Sequence, residues 1–301
     1  MKPLVECVPN FSEGRDSGIV EAIAASIAAS DGVHLAGMEM DADHNRSVIT
    51  FMGSPEDAAA AAHEACETAR SLIDLRRHRG VHPRIGATDV LPFVPLSACS
   101  LSECISLART VGRRIGQTLD IPVFFYGDAS TDARRGTLPA IRRGGFERLV
   151  REMGMDPDLS PDAGPGAVHV SAGATAVGVR DILVAFNVNL DTDDVRAAQA
   201  IAREIREKNG GLPGVRALGL LLPLKGRAQV SMNLTDYRRT DMAQAFRAVA
   251  RLAEARGVGV LESELIGLAP RAAMGGAEPE DIRMRPIEPS RYLEYHTSQF
   301  D

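Results

Sequence analysis

Apolar runs of strand length alternate with amphipathic runs of helix length along this chain, which predicts an α/β (α+β) fold. Three observations carry the prediction. The first half reads β-α-β-β-α-β, the order of a split βαβ motif. The second half repeats that order without repeating the sequence. Between them, Gly154 to Gly166 is rich in Pro, Gly and Asp and reads as a loop and candidate linker. The expected division is two ferredoxin-like βαββαβ subdomains, residues 1–178 and 179–301. Each is a sheet with helices on its outer face. The uncovered faces need cover, either from one another or from a second subunit, and a cleft there suits a small molecule.

Leu4 to Pro9 reads as a short buried strand. Asp16 to Ala29 is amphipathic, with Ile19, Ile23 and Ile27 on one stripe. Val33 to Met38 and Val48 to Met52 are the next strands. Ser54-Pro55-Glu56-Asp57 starts a helix: a capping serine, proline at the first helical position, then acids against the helix dipole. That helix runs to about Ile73, and Val90 to Pro95 is a strand. Ser100-Leu101-Ser102-Glu103 is a capping box opening another helix. Ile121 to Tyr126 is a strand, and Leu138 to Met153 is helical with glycine interruptions. In the second half, Ile182 to Leu190 is a strand and Asp194 to Lys208 a helix. Val215 to Leu222 and Gln229 to Leu234 are strands. Thr240 caps a helix to Arg256, and Val258 to Leu265 is the last strand. The polar, proline-spaced tail from Gly276 to Asp301 is either an extended strap or partly mobile.

Net charge is −6, which argues against a general binder of nucleic-acid backbone. No run approaches a membrane span of ~20 apolar residues, and the N-terminus carries no secretory signal. Cys7, Cys66, Cys99 and Cys104 form no CxxC pair and fit no zinc spacing. They read as free thiols of a reducing cytoplasm. There is no P-loop, no GxSxG elbow and no GxGxxG.

The chemistry-bearing segment is His78-Arg79-Gly80-Val81-His82-Pro83-Arg84-Ile85-Gly86. Pro83 lacks an amide proton and pushes His82 out of the α region, so this loop is neither helix nor strand. Histidine exchanges protons near neutral pH. Three readings stand on the loop alone: a catalytic histidine, a turn histidine bonded to a nearby carbonyl, or a metal pair at i, i+4. The third is disfavoured, because Gly80 and Pro83 break the helix it requires. Other polar clusters lie in strand-end loops: Asn10-Phe11-Ser12-Glu13, and Glu39-Met40-Asp41-Ala42-Asp43-His44-Asn45-Arg46. The second is a solvated acidic turn or a hard-cation site, and it lacks the offsets of an EF-hand. Pro165-Gly166 and Gly173-Ala174 flank the apolar run Ala167 to Ala172; they are turn residues or a place for a flat ligand to approach the backbone. Gln229, Ser231 and Asn233 share one strand face, as do Asn187 and Asn189, which suggests a wet cleft.

These residues carry a resemblance. Val5-Glu6-Cys7-Val8-Pro9-Asn10-Phe11-Ser12-Glu13-Gly14, Asn45-Arg46-Ser47-Val48, His82-Pro83-Arg84-Ile85-Gly86-Ala87 and Gln229-Val230-Ser231-Met232-Asn233-Leu234 closely resemble the glutamate formimidoyltransferase (formiminotransferase) family. Pro161-Asp162-Ala163-Gly164-Pro165 and Ala185-Phe186-Asn187-Val188-Asn189-Leu190 are similar to its patterns. The likeness runs from residue 4 to about 270. It implies transfer of the formimidoyl group of N-formimidoyl-L-glutamate to N5 of tetrahydrofolate in histidine degradation, with ligands in a tunnel between the two sheets. It implies the stand-alone form, without the cyclodeaminase domain that animal relatives carry. The expected co-substrate is tetrahydrofolate, no metal is expected, and the expected enzyme is a cytoplasmic homodimer without nucleic-acid or membrane partners.

Carried over by residue, the resemblance makes His82 the general acid/base. Glu39 stands where animal enzymes have aspartate before the Asn-Arg pair, so Glu39, Asp41 or Asp43 would support the histidine. Such a carboxylate would orient the ring and favour its imidazolium form. Asn10, Asn45, Arg46 and Arg84 are the substrate candidates, arginine being the bidentate partner of a carboxylate. Gly164, Pro165, Gly173, Ala174, Gln229 and Asn233 are the folate candidates. His78 becomes a bystander. Two rival functions stay open: formyl rather than formimidoyl transfer, and a non-catalytic amino-acid-sensing βαββαβ module, which would not need the His-Pro-Arg loop.

Overall fold

The computed structural model describes residues 2–300, the side chain of Arg135 excepted. It divides into two compact units, Met1–Arg180 and Asp181–Asp301.

In the first unit, β1 (Leu4–Cys7) and β2 (Asn10–Phe11) lead to α1 (Ser17–Ala28), β3 (Val33–Asp41) and β4 (Arg46–Gly53). Then come α2 (Pro55–Leu72), β5 (Thr88–Ser97), α3 (Leu101–Thr118), β6 (Val123–Gly127), α4 (Leu138–Ile141), α5 (Gly145–Glu152) and β7 (Thr175–Val179). The starts follow the local chemistry. Ser54 accepts from the Asp57 amide at 3.2 Å with Pro55 at the first helical position, and Ser100 and Glu103 close a reciprocal capping box.

The sheet runs β3–β4–(β1, β2)–β5–β7–β6, with β1 and β2 both between β4 and β5. Its first part is the antiparallel split motif. Its last part is an addition that the sequence reading lacked: β7 lies between β5 and β6, parallel to both. The run Thr-Ala-Val-Gly-Val is buried at every position. A strand buried on both faces shows no alternation, and periodicity cannot identify it. The apolar run from Ala167 to Ala172 that drew attention instead is irregular, with Val170 mostly exposed.

Helices α1, α2 and α3 pack on one face through Ile23, Ile27, Ala62, Ala69, Ala108 and Ile115, against Val5, Cys7, Ile49, Phe51, Leu91 and Phe93 of the strands. Cys7, Cys66 and Cys104 are buried here as free thiols. Burial pushes Cys66 and Cys104 up to about 12. On the other face, α4 and α5 cover β5, β6 and β7 through Ile141 and Leu149 against Val90, Phe124, Tyr126 and Ala176.

The second unit is β8 (Val184–Leu190), α6 (Val195–Ile205), β9 (Val215–Leu222), β10 (Arg227–Leu234), α7 (Met242–Glu254), β11 (Val260–Ile266) and α8 (Leu293–Thr297). Strand order β11-β8-β10-β9, antiparallel throughout, is the ferredoxin-like arrangement expected. The cap of α7 is Asp241 rather than Thr240; Asp241 forms a capping box with Gln244, and the Thr240 hydroxyl donates to the Pro213 carbonyl at 2.7 Å. The tail is a strap: Met284 bridges Ser263, Tyr292 bridges Ala269, and Ile282 and Leu293 are buried.

Candidate active site

The loop bearing His82 has no regular structure and is fastened at both ends. Its first anchor is the β3–β4 hairpin. Asn45 ends that hairpin in the left-handed region, φ 49°, a conformation asparagine tolerates better than most residues. The Asn45 Oδ1 accepts from the Gly14 amide at 3.0 Å, and its Nδ2 donates to the Arg79 carbonyl at 2.9 Å. One side chain thus joins the loop between β2 and α1, the hairpin and the histidine loop. Gly80 lies so close that a Cβ would sit 2.2 Å from the His44 carbonyl. His78 is buried, with Nε2 on the Asn45 carbonyl at 2.7 Å and Nδ1 accepting from Arg84 Nε at 2.9 Å. Both ring nitrogens are engaged, so His78 builds the loop and has no lone pair to spare for a metal. Arg84 closes its fork on Glu147 of α5 at 2.8 and 3.0 Å.

The second anchor is the start of β5. The Ser12 hydroxyl donates to the Gly86 carbonyl at 2.7 Å, and Gly86 bridges Gly173. A register shift opposite Asn10 and Phe11 takes Asp89 out of the strand alternation, as bulges beside sites do. The buried Asp89 accepts from the Ile85 amide at 2.8 Å through one oxygen and from Arg142 through the other.

Between these anchors His82 meets Arg46. Nδ1 of His82 lies 2.8 Å from the Pro83 carbonyl, so it carries the proton and donates. Nε2 is the acceptor in that tautomer, and Arg46 Nη1 stands against both ring nitrogens, 2.5 Å from Nε2 and 2.8 Å from Nδ1. Arg46 Nη2 donates to Asn10 Oδ1. Asp41 and Arg46 are register partners, and so are Glu39 and Val48, which puts Glu39, Asp41 and Arg46 on one sheet face. Asp41, however, directs Oδ1 to His44, 2.7 Å from its amide and 3.0 Å from its Nδ1.

The electrostatics run opposite to the expected carboxylate support. Burial, then the Arg46 and Arg142 guanidiniums, hold His82 well below its ordinary pKa. The resting ring is neutral, and less basic than a free imidazole. Burial and Arg142 also bring Arg46 down to about 9. Nε of Arg46 and Nε of Arg142 are buried and make no hydrogen bond. A buried unpaired N–H costs about 1–3 kcal/mol, and an incoming anion would remove that cost. The recess at His82 holds about 10 Å³, near the size of a single water.

Of the positions expected at folate, Gly164 (φ 82°) packs on the Ile121 carbonyl. Gly173 abuts the Ile85 carbonyl, and Ala174 donates its amide there at 2.9 Å. Pro165 lies in the same irregular stretch. In the second unit Gln229 is buried and Asn233 exposed, on the sheet face away from the helices. Among the described residues, His63, Glu64 and Glu67 of α2 bring possible metal-ligating atoms within 4.8 Å of one another, on the helix-covered side of the sheet.

Comparison with known proteins identifies the architecture. Residues 4–180 match the formiminotransferase domain, N-terminal subdomain, and residues 185–279 match the formiminotransferase domain. The chain belongs to the formiminotransferase family. It is 45% identical to a glutamate formimidoyltransferase of Thermoplasma acidophilum, over 90% of this chain and 89% of that protein. It is 41% identical to the Streptococcus pyogenes serotype M1 protein of the same name, over 91% of each. Against the formimidoyltransferase-cyclodeaminase of Sus scrofa it is 40% identical over 91% of this chain and 51% of the longer protein. Within this formiminotransferase fold, Arg142 and Asp89 are the site residues that sequence reasoning missed. Arg142 ends α4 in a stretch broken by glycines, and Asp89 sits at a bulge, so neither carries a local signal.

Proposed function

We propose that this chain transfers the formimidoyl group of N-formimidoyl-L-glutamate to N5 of tetrahydrofolate, giving 5-formimidoyltetrahydrofolate and L-glutamate. The observation that carries the site assignment is the neutral His82 beside buried, unpartnered guanidinium N–H groups of Arg46 and Arg142. Glutamate brings two carboxylates, and Arg46, Arg142 and Asn10 are the groups to meet one of them. Arg84, committed to Glu147 and His78, holds the loop.

N5 attacks the amidinium carbon and forms the new C–N bond, giving a tetrahedral carbon that bears three nitrogens. His82 Nε2 takes the N5 proton and returns it to the glutamate nitrogen as the old C–N bond breaks. A placed acid–base group contributes about 10²–10⁴ in rate, and holding both substrates in register contributes further. Arg46 connects binding to basicity. A carboxylate that draws Arg46 away uncovers Nε2 and weakens the positive field on the ring, which moves its pKa back toward neutrality. The folate candidates are Gln229 and Asn233 in the second unit and, in the first, the Gly164-Pro165 and Gly173-Ala174 turns. Glu39 remains a supporting carboxylate in this reading, and Asn45 acts by tying the loop. The enzyme is taken as a cytoplasmic homodimer, which sedimentation would check.

The test is a product assay with tetrahydrofolate and either formimidoylglutamate or formylglutamate. His82→Ala is expected to lower turnover by about 100-fold or more, with folate affinity kept. Near-normal turnover removes His82 from the mechanism, and equal rates with the formyl donor favour formyl transfer.

A further inference from the structure

His63 of α2 is 5% exposed, and its two ring nitrogens are treated differently. Nε2 lies 2.8 Å from the hydroxyl of Thr118, the last residue of α3. That hydroxyl donates its proton to the Arg114 carbonyl at 2.8 Å. A hydroxyl has one proton to give, so Thr118 Oγ1 accepts from His63, and Nε2 carries the ring hydrogen. Nδ1 is then the nitrogen with the free lone pair in the neutral ring.

Nδ1 is buried and makes no hydrogen bond among the described residues. What it faces is acidic. Glu64 Oε1 stands 3.7 Å away, beyond hydrogen-bond reach. Glu67, at i+4 from the histidine, lies one turn on along the same helix face. Ligand atoms of the three residues lie within 4.8 Å of one another. A lone pair and two carboxylates thus converge with no hydrogen between them, an arrangement that repels itself until a cation enters. A proton on Nδ1 is disfavoured: burial, then the Arg114 guanidinium, hold His63 below its ordinary pKa despite the pull of Glu64 and Glu67. A purely structural histidine would engage both ring nitrogens, as His78 does.

We propose that His63, through Nδ1, together with Glu64 and Glu67, binds a divalent transition cation of the zinc type, with water completing the coordination. One imidazole nitrogen with carboxylate oxygens suits zinc and its neighbours, whereas calcium and magnesium take oxygen-only sets. The bond from Nε2 to Thr118 is the outer contact that fixes the tautomer of a metal-binding imidazole and aims its lone pair. Helices α2 and α3 lie on the helix-covered side of the sheet, opposite the face that carries Arg46. The cation is therefore structural: it braces α2 through a ring already fastened to α3.

The experiment is calorimetric titration of zinc chloride into the full chain after treatment with a chelator. The proteins are wild type, Thr118→Val, and a double variant carrying Glu64→Gln and Glu67→Gln, all three positions being exposed. Wild type is expected to bind zinc, and the double variant, stripped of both carboxylates, to lose that binding. Loss of an outer contact costs a metal site about 10–100-fold in affinity, so Thr118→Val is expected to bind about 10-fold or more weakly. Zinc is expected to raise the melting temperature of wild type and not that of the double variant. Excess calcium is expected to leave the zinc isotherm unchanged. Absence of zinc binding by wild type overturns the proposal and needs no variant to fold. Equal binding and equal stabilisation in a folded double variant overturn it as well, since the metal then sits elsewhere. Displacement of zinc by calcium overturns the choice of a transition cation.

Discussion

Glu6 offers a sharp test of the electrostatics on the catalytic sheet. Its neighbours on β1, Val5 and Cys7, point into the helix-packed core, so alternation sends Glu6 to the face that carries Arg46. It is 5% exposed, and burial raises its carboxyl from 4.5 to about 7 despite the pull of Arg180. Between those pH values the folded chain holds a proton that the unfolded chain has released. Stability from this group is complete below pH 4.5 and is lost as pH rises through about 7. At 1.36 kcal/mol per pKa unit the loss totals about 3 kcal/mol. Glu6→Gln keeps shape and polarity and has nothing to titrate. Urea unfolding of both proteins from pH 4.5 to pH 8.5 should show the variant gaining on wild type by about 3 kcal/mol across that range. Parallel stability curves would refute the claim that Glu6 is a buried carboxyl held up by desolvation.

Further outcomes are expected. His82 is neutral well below its ordinary pKa, so the acid limb of kcat/KM should lie below ~6.5; a limb at or above that value contradicts the assignment. Arg142→Gln should raise the KM for formimidoylglutamate by about 10-fold through one lost charge-assisted contact, leaving the folate KM alone. Arg84→Lys and Glu147→Gln should resemble one another, each lowering stability by about 1 kcal/mol or less because Glu147 is half exposed. A large KM effect from Arg84→Lys alone would make Arg84 a substrate ligand. With a thiol reagent, Cys99 should react first, since it is half-buried whereas Cys7, Cys66 and Cys104 are buried; burial pushes all four thiols up.

Much of this was legible because it is written locally. Ser54, Ser100 and Asp16 begin helices where capping chemistry puts them. The second-unit strands fall where alternation puts them, because one face of that sheet is apolar and the other polar. His82 stood out because Pro83 and Gly80 forbid regular structure around it. What escaped depends on distant parts of the chain. β7 looks like a loop until β5 and β6 flank it. Thr240 looks like a cap until the Pro213 carbonyl claims its hydroxyl. An acidic residue beside His82, one of Glu39, Asp41 and Asp43, was what the family resemblance implied. The fold instead spends Asp41 on His44 and brings Arg142 from α4. His78, dismissed as idle, fastens the loop.

The late insertion of β7 also governs how the first unit is made. β5 and β6 lie on either side of residues 175–179, so β6 cannot join the sheet and one edge of β5 stays open until a strand near the unit's end arrives. Until those residues leave the ribosome, β5 presents an unpaired apolar edge, the kind that recruits other chains. The contacts β7 makes span long stretches of sequence, and their closure is slow. The first unit should therefore stay protease-sensitive as a nascent chain until roughly residue 180 has emerged, and a fragment ending before Thr175 should aggregate instead of folding.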